Sequence, residues 1–144
     1  MIRITQGELR QAYDLSMAIP EFQEPYTWQK WQERLTDADT VALVAYVQDQ
    51  PAGFKVGYGT PAFFYSWIGG VLPDYRGKGV ARALADEMEQ LIAGRYDRLR
   101  MKTRNRYKAM LQFAIGNGFN IVEVRPATTG HPVLDLRIVL EKNI

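Results

Sequence analysis

The chain has few of the side chains on which many hydrolases and metal sites depend. Its 144 residues include no cysteine, a single histidine (His131) and two serines (Ser16 and Ser66). Without cysteine it has no disulfide, no thiolate metal ligand and no cysteine nucleophile. The serines and the histidine form no persuasive Ser-His-Asp order, and we interpret His131 as a solvated loop residue. No His/Asp/Glu cluster has metal-ligand spacing, so we expect no metal.

Long apolar runs are also missing. No run approaches the roughly 18 residues that a transmembrane helix needs, and Met1–Gln6 lacks the apolar centre of a secretory leader. The apolar share of 47% and the charged share of 24% are ordinary for a globular protein. The sequence therefore predicts one domain over residues 1–144, a cytoplasmic location and no membrane partner.

Charge is unevenly distributed along the chain. The net charge is +2, but residues 1–75 carry five Lys/Arg against nine Asp/Glu, and residues 76–144 carry thirteen against seven. The second half is therefore expected to attract anions. Chance clustering on a solvated surface is the alternative interpretation.

Hydrophobic periodicity predicts the element order βααβββαβαββ. The strand–helix–strand–helix–strand series over residues 62–124 predicts parallel neighbouring strands, because such crossovers connect parallel strands. The flanking hairpins predict antiparallel pairs. The fold class is therefore α/β, with a mixed sheet and helices on both faces.

A turn rich in glycine and cations joins the fourth strand to the third helix, Arg76-Gly77-Lys78-Gly79. Glycines let backbone amides converge, and the first amides of the following helix lie at the positive end of its dipole. Arg76, Lys78 and Arg82 add positive charge. The pattern favours a phosphate or pyrophosphate site, and a tight turn with solvated cations is the alternative.

Two phosphate-binding motifs fail at single positions of this turn. A Walker A loop needs glycine where the chain has Leu72, and serine or threonine where it has Gly79. A dinucleotide fingerprint needs glycine or alanine where the chain has Arg82. Neither class of nucleotide-binding loop is therefore predicted.

A third pattern, [QR]-x-x-G-x-[GA], is satisfied by Arg76, Gly79 and Ala81, after the V-x-P of Val71 and Pro73. In this context the turn resembles the acyl-CoA pyrophosphate loop of the GNAT superfamily of N-acetyltransferases. The element order and the closing Gly-Phe pair at 118–119 extend the resemblance over nearly the whole chain. The resemblance implies a GNAT-like fold: a central mixed, splayed sheet of about seven strands flanked by four helices.

The resemblance also implies acetyl-CoA as cosubstrate. It would lie between the fourth and fifth strands, which would separate near Gly69-Gly70, where we expect a bulge. Its pantetheine arm would pair with the backbone of 70–72, and its pyrophosphate would bind the amides of 77–82. The implied contacts are Gly70, Val71, Leu72, Arg76, Gly77, Lys78, Gly79, Val80, Ala81, Arg82 and Asn105.

The activity that the resemblance implies is direct acetyl transfer to an amine in a ternary complex. Such a step needs a proton acceptor for the amine, a donor for the oxyanion, for which the Val71 amide is suited, and an acid for the thiolate. The family's usual tyrosine position is occupied by Ala114, which leaves Tyr107 as the nearest hydroxyl. Glu21 and Glu24 are candidates for the base or for contacts to a cationic acceptor, either a small molecule or a peptide amine.

Several alternatives stay open at this point. The base could also be Tyr65, Ser66 or a water, and the alanine at 114 is compatible with a domain that binds acyl-CoA without turnover. A third interpretation is a protein that binds nucleic acid, because residues 95–108 contain seven cations with tyrosines between them. The small net charge disfavours it. A homodimer is left open.

Overall fold

The computed structural model describes residues 1–22, 24–126 and 135–144, and the expectation for His131 lies outside them. It confirms the predicted fold class, a mixed α/β sheet of seven strands with four helices. The strands are β1 (Ile2–Gln6), β2 (Thr40–Val47), β3 (Gln50–Gly59), β4 (Phe64–Val71), β5 (Arg98–Arg104), β6 (Asn120–Pro126) and β7 (Leu136–Asn143). The helices are α1 (Leu9–Ser16), α2 (Trp28–Leu35), α3 (Val80–Ile92) and α4 (Lys108–Gly116). None of the helices in the described ranges is long and apolar enough to cross a membrane.

The sheet has the order β1-β2-β3-β4-β5-β7-β6, with β4 and β5 as its parallel pair. The expectation that β5 and β6 are parallel neighbours is wrong, because β7 lies between them and is antiparallel to both. The physical reason is burial. The β7 side chains Ile138, Val139 and Leu140 are at most 6% exposed, whereas Ile121 of β6 is 49% exposed. The more apolar strand therefore takes the interior position and leaves β6 at the edge.

Helices cover both faces of the sheet. On one face α3 buries an apolar stripe, with Val80, Leu84, Met88 and Ile92 packed against the inner strands. On the opposite face α1 and α2 bury Leu15 and Trp31 against β2 and β3. Helix α4 packs through Ala114 on β7. Thr27 caps the N-terminus of α2, because its side chain accepts a hydrogen bond from Lys30 N at 3.2 Å.

Strands β4 and β5 separate part-way along their length. The last pair between them is Ser66 with Met101. From Trp67 onward β4 is not hydrogen-bonded to β5, and the same holds for β5 from Lys102 onward. We call this gap between β4 and β5 the split. It opens toward the end of β4 that leads into α3, so the fold places the glycine turn beside it.

A bulge lies where the split begins. Val56 of β3 pairs with Ile68 and the next residue, Gly57, pairs with Ser66, so Trp67 is the extra residue on β4. The bulge predicted at Gly69-Gly70 is therefore two residues earlier, because the Trp67 ring packs on Trp31, with 5.2 Å between their centroids.

The two glycines that follow permit close packing within the sheet and against the segment that follows α1. A Cβ at Gly69 would lie 3.1 Å from the Phe54 carbonyl oxygen, and one at Gly70 would lie 3.0 Å from the side chain of Ile19. Both positions therefore favour glycine because the neighbouring atoms leave little room for a side chain.

Candidate functional site

A cavity of about 250 Å³ lies at the N-terminus of α3, beside the split. Its lining combines the end of β4, the glycine turn, the first turn of α3 and one α4 residue. The lining residues are Val71, Tyr75, Arg76, Gly77, Gly79, Val80, Ala81, Arg82 and Phe113. The structure thus brings together seven of the residues predicted to contact acetyl-CoA. Tyr75 and Phe113 were not predicted as contacts, although Tyr75 lies within the motif itself.

The backbone of the glycine turn leaves amides without internal partners. Gly77 and Gly79 adopt left-handed φ angles of 75° and 83°, which other residues rarely adopt. The first intrahelical hydrogen bond of α3 runs from Ala83 N to Gly79 O at 3.0 Å. The amides of residues 80–82 precede it and lack an intrahelical acceptor, so they can bind an anion.

The cations of the turn differ in how far they are neutralised. Arg76 forms two hydrogen bonds of 2.8 Å with the Glu21 carboxylate, and its Nε donates to Val71 O at 3.0 Å. Arg82 bonds to the Asn117 side chain and lies 3.7 Å from a carboxylate oxygen of Asp86. Lys78 is exposed and has no carboxylate within 4.0 Å among the residues described. The turn is therefore less positive than its sequence indicates.

Glu21 and Glu24, the two predicted acidic contacts, lie in the segment between α1 and α2. The hydrogen bonds from Arg76 lower the pKa of Glu21, which makes that carboxylate a weaker base. Glu24 is exposed in the same segment. The structure thus pairs Glu21 with Arg76 of the glycine turn, a partner that the sequence reasoning did not anticipate.

The backbone of Val71 is directed into the split. Leu72 N donates to Ala52 O on the β3 side at 2.8 Å, and Gly70 pairs with Phe54 on that side. Adjacent residues of a strand direct their backbone groups to opposite edges, so the Val71 amide is directed toward β5. Of the three residues predicted to pair with pantetheine, Val71 has the orientation that pairing requires.

Tyr107 and Asn105 lie outside the cavity lining. Asn105 joins β5 to β7, because its Oδ1 accepts from Leu136 N at 2.8 Å and its amide donates to Leu136 O at 3.0 Å. Tyr107 precedes α4 and is 38% exposed. Ala114, in the usual tyrosine position, is 1% exposed and packs in the core.

Lys55 is a half-buried cation that the sequence reasoning did not single out. It lies on β3 on the face covered by α3, and its Cγ would be 3.5 Å from a Cβ at Gly69. Burial lowers the pKa of Lys55 to about 8, against the opposing effect of the Glu89 charge. The signal was available, since Lys55 is a single charge within an otherwise uncharged strand.

Aromatic rings line the split on the face that carries α1 and α2. Trp67 lies 5.5 Å from Tyr26, and Tyr65 lies 5.5 Å from Tyr58, measured between ring centroids. Arg34 stacks on Trp67, and Lys102 lies over Tyr65. Burial raises the pKa of Tyr65 to about 12, so this hydroxyl is protonated at neutral pH and is not a base.

Four of the seven cations in the basic segment 95–108 are paired with carboxylates. Its ion pairs are Arg95 with Asp39, Arg98 and Arg100 with Glu141, and Arg104 with Asp135. A nucleic-acid surface depends on cations that are available to phosphates. These pairs therefore weaken the nucleic-acid interpretation. Within the described ranges, no group of three or more His, Cys, Asp or Glu side chains could bind a metal.

The acetyltransferase (GNAT) family model matches residues 8–119, which include the glycine turn and the closing Gly-Phe pair. The chain belongs to the GNAT family. By sequence, none of the curated proteins matches it significantly.

Solved structures of GNAT proteins have the same fold. The ribosomal-protein-S18-alanine N-acetyltransferase from Escherichia coli has a TM-score of 0.85 and 18% identity, with 100% of this chain and 94% of that chain covered. Ard1 from Thermoplasma volcanium has a TM-score of 0.81 and 17% identity over 99% and 97% of the two chains. A GNAT acetyltransferase from Elizabethkingia anophelis with acetyl-CoA bound has a TM-score of 0.76 and 17% identity over 99% and 98%. At these identities the likeness establishes the fold alone.

Proposed function

We propose that this GNAT protein is an acetyl-CoA-dependent N-acetyltransferase that passes the acetyl group directly to an amine in a ternary complex. The main observation in support is the turn of Gly77 and Gly79, whose left-handed backbone leaves helix amides free beside a cavity. This is the arrangement that a pyrophosphate requires. The related protein from Elizabethkingia anophelis, which has the same fold, was crystallised with acetyl-CoA.

We assign the pyrophosphate to the amides of residues 77–82 and the pantetheine arm to the split beside residues 70–72. Arg76, Lys78 and Arg82 would supply charge, and Asn105 would contact the cofactor from the end of β5. Bound there, acetyl-CoA supplies a thioester whose carbonyl carbon is open to attack. The amine nitrogen forms the new C–N bond, the C–S bond breaks, the amine loses a proton and CoA leaves as the thiolate.

Three protein groups would serve this step. The Val71 amide is directed into the split and is suited to donate to the developing oxyanion. Glu24, or a water, would take the amine proton, since the ion pair with Arg76 leaves Glu21 a poor base. Tyr107 is the proposed acid for the thiolate. Tyr75 is a second candidate, because its side chain contributes to the cavity lining.

The acceptor would be the amine of a small molecule or a peptide. Relatives of both kinds share the fold: one is named for an alanine of ribosomal protein S18, and another is a nourseothricin acetyltransferase, with a TM-score of 0.66. The buried alanine at 114 also fits a domain that binds acetyl-CoA without turnover. Binding and turnover therefore have to be measured separately.

Acetyl-CoA is expected to raise the melting temperature of the protein, and Gly79→Glu to abolish the rise, because a carboxylate would enter the pyrophosphate site. Gly94→Glu is the matched control: Gly79 and Gly94 lie at opposite ends of α3 with φ of 83° and 81°, and a Cβ at either meets nothing within 4 Å. Both variants have similar backbone strain, but only Gly79→Glu places a carboxylate at the anion site. The absence of a rise at millimolar acetyl-CoA would refute the cofactor assignment.

Turnover is measured by thiol release across a panel of amines, and the cysteine-free chain gives no thiol background. A rise in melting temperature without release from any amine would favour the binding domain over the enzyme.

A further inference from the structure

We propose that the acceptor is an amine that also carries a carboxylate, and that Arg34 binds this carboxylate beside the split. The proposal rests on the proposed acetyltransferase function and names the class of its acceptor. It reverses the sequence expectation, in which Glu21 and Glu24 indicated a cationic acceptor.

Two aromatic rings orient the Arg34 guanidinium. Its Cζ lies 4.9 Å from the centroid of Trp67 and 5.6 Å from that of Tyr26. A guanidinium that lies over aromatic rings can still donate hydrogen bonds from its N–H groups, and their planar geometry matches a carboxylate. Among the residues that the structure describes, no carboxylate lies within 4.0 Å of Arg34, whereas Arg76, Arg95, Arg98, Arg100 and Arg104 each have one.

Arg34 lies beside the split, the region to which the proposed function assigns the pantetheine arm. Trp67, on which it stacks, is the bulge residue and the first residue of β4 beyond the last pair with β5. Across the split, Lys102 is the corresponding first residue of β5, and its Nζ lies 5.5 Å from the centroid of Tyr65. The face of the split that carries α1 and α2 thus has a cation on each side.

Neither Arg34 nor Lys102 has a carboxylate within 4.0 Å among the residues that the structure describes, although Glu24 is exposed in the segment between α1 and α2. Glu21 forms both of its short hydrogen bonds with Arg76, and Glu141 is paired with Arg98 and Arg100. The aromatic faces that could attract a cationic acceptor are already covered by Arg34 and Lys102. The positive charges of Arg34 and Lys102 would repel a polyamine. A carboxylate beside the acceptor amine could instead accept hydrogen bonds from Arg34.

The experiment compares acceptors in matched pairs by thiol release. Glycine differs from glycinamide, and the C-terminally amidated dipeptide Ala-Asp from C-terminally amidated Ala-Asn, in that the first of each pair carries a carboxylate where the second carries an amide. We expect kcat/KM to be about tenfold or more higher for the carboxylate member, in line with a charge-assisted hydrogen bond. The glycine pair tests a free amino acid and the dipeptide pair tests a peptide N-terminus, so the arms distinguish the two sources.

Arg34→Gln is expected to remove this preference through KM and to leave the amide members unchanged. Arg10→Gln is the matched control, because Arg10 also stacks on two rings, those of Tyr13 and Trp28, but lies 3.4 Å from Asp14. It should keep the preference. Equal rates for both members of each pair, or best turnover of polyamines with a loss on Glu24→Gln, would overturn the proposal.

A binding measurement decides the matter if no amine on the panel is turned over. N-acetylglycine should stabilise the CoA-saturated protein more than N-acetylglycinamide does, and Arg34→Gln should abolish the difference. Equal effects of the two compounds would refute the acceptor class while leaving the cofactor assignment intact. Conversely, failure of acetyl-CoA to stabilise the protein refutes the proposed function and not the carboxylate site.

Discussion

The Glu21 carboxylate and the Arg76 guanidinium form two hydrogen bonds of 2.8 Å across a separation of 55 residues. They join the segment between α1 and α2 to the turn that precedes α3. Their side chains are 47% and 43% exposed, so the pair contributes less than about 1 kcal/mol to stability. Its importance is that the charge of Arg76 is shared between Glu21 and any anion in the cavity.

Glu21→Gln should therefore tighten acetyl-CoA binding by about threefold, because Arg76 loses its competing carboxylate and the exposed pair is weak. The dissociation constant is measured by calorimetry at low and at high ionic strength, and the gain should shrink with salt. Glu33→Gln is the control, since Glu33 interacts with Gln29 on α2. Weaker binding by Glu21→Gln would mean that Glu21 orients Arg76 toward the cofactor.

Lys55 makes stability depend on pH in a predictable direction. Its pKa is about 8 in the folded protein against an ordinary value of 10.5 for lysine, so the unfolded chain binds more protons between these values. Stability therefore rises with pH across this window, and the cost of burying the charge is fully present below pH 8. Lys55→Met should raise the melting temperature at neutral pH, and the gain should diminish as the pH approaches 10.

Lys142→Met is the comparison for Lys55. The Lys142 ammonium donates to Glu89 Oε2 and to Asn117 O, both at 2.8 Å, so its removal should lower the melting temperature. A gain for Lys55→Met that stays constant from pH 7 to 10 would show that packing, and not a buried charge, is responsible.

The sequence was sufficient where the determinants are local. Periodicity predicted the helices and strands, and the glycine pattern located the turn, because φ preferences and helix amides depend on adjacent residues. The sequence did not predict the order of β5, β6 and β7 across the sheet. The interior position of β7 depends on which of these strands buries more apolar surface in the complete fold. A local pattern for parallel neighbours was therefore misleading.

The sequence also failed to predict interactions between side chains that are distant along the chain. The Glu21–Arg76 pair and the stacking of Arg34 on Trp67 connect elements whose relative placement only the fold determines. From the sequence alone, Glu21 was expected to contact the acceptor amine and Arg76 to contact acetyl-CoA, with no interaction between them. The bulge at Trp67 likewise depends on packing against Trp31, which no pattern within β4 reveals.

Gly57 is predicted to be essential to the geometry of the split. A Cβ there would lie 2.5 Å from Phe64 Cε1 and 2.7 Å from Tyr65 O, the latter being backbone that moves at a cost. Gly57→Ala should destabilise the protein by about 1–3 kcal/mol, as overpacking does. Because Gly57 pairs with Ser66, the last β4 residue paired with β5, it should also weaken acetyl-CoA binding.

Gly116→Ala provides the contrast for Gly57→Ala in denaturant unfolding. Gly116 ends α4, and a Cβ there meets nothing within 4 Å. The substitution should be neutral or should stabilise the protein by up to about 1 kcal/mol. Equal effects of the two variants would contradict the role assigned to Gly57.

The proton donor for the thiolate is tested by Tyr107→Phe and Tyr75→Phe. If Tyr107 protonates CoA, its loss should lower kcat by about 100-fold and leave the KM for acetyl-CoA unchanged, since the interaction is made in the transition state. Tyr75 contributes to the cavity lining, so Tyr75→Phe should act mainly on that KM. The reverse result would transfer the role to Tyr75. The 38% exposure of Tyr107 allows the substitution without loss of folding, which an unchanged melting temperature would verify.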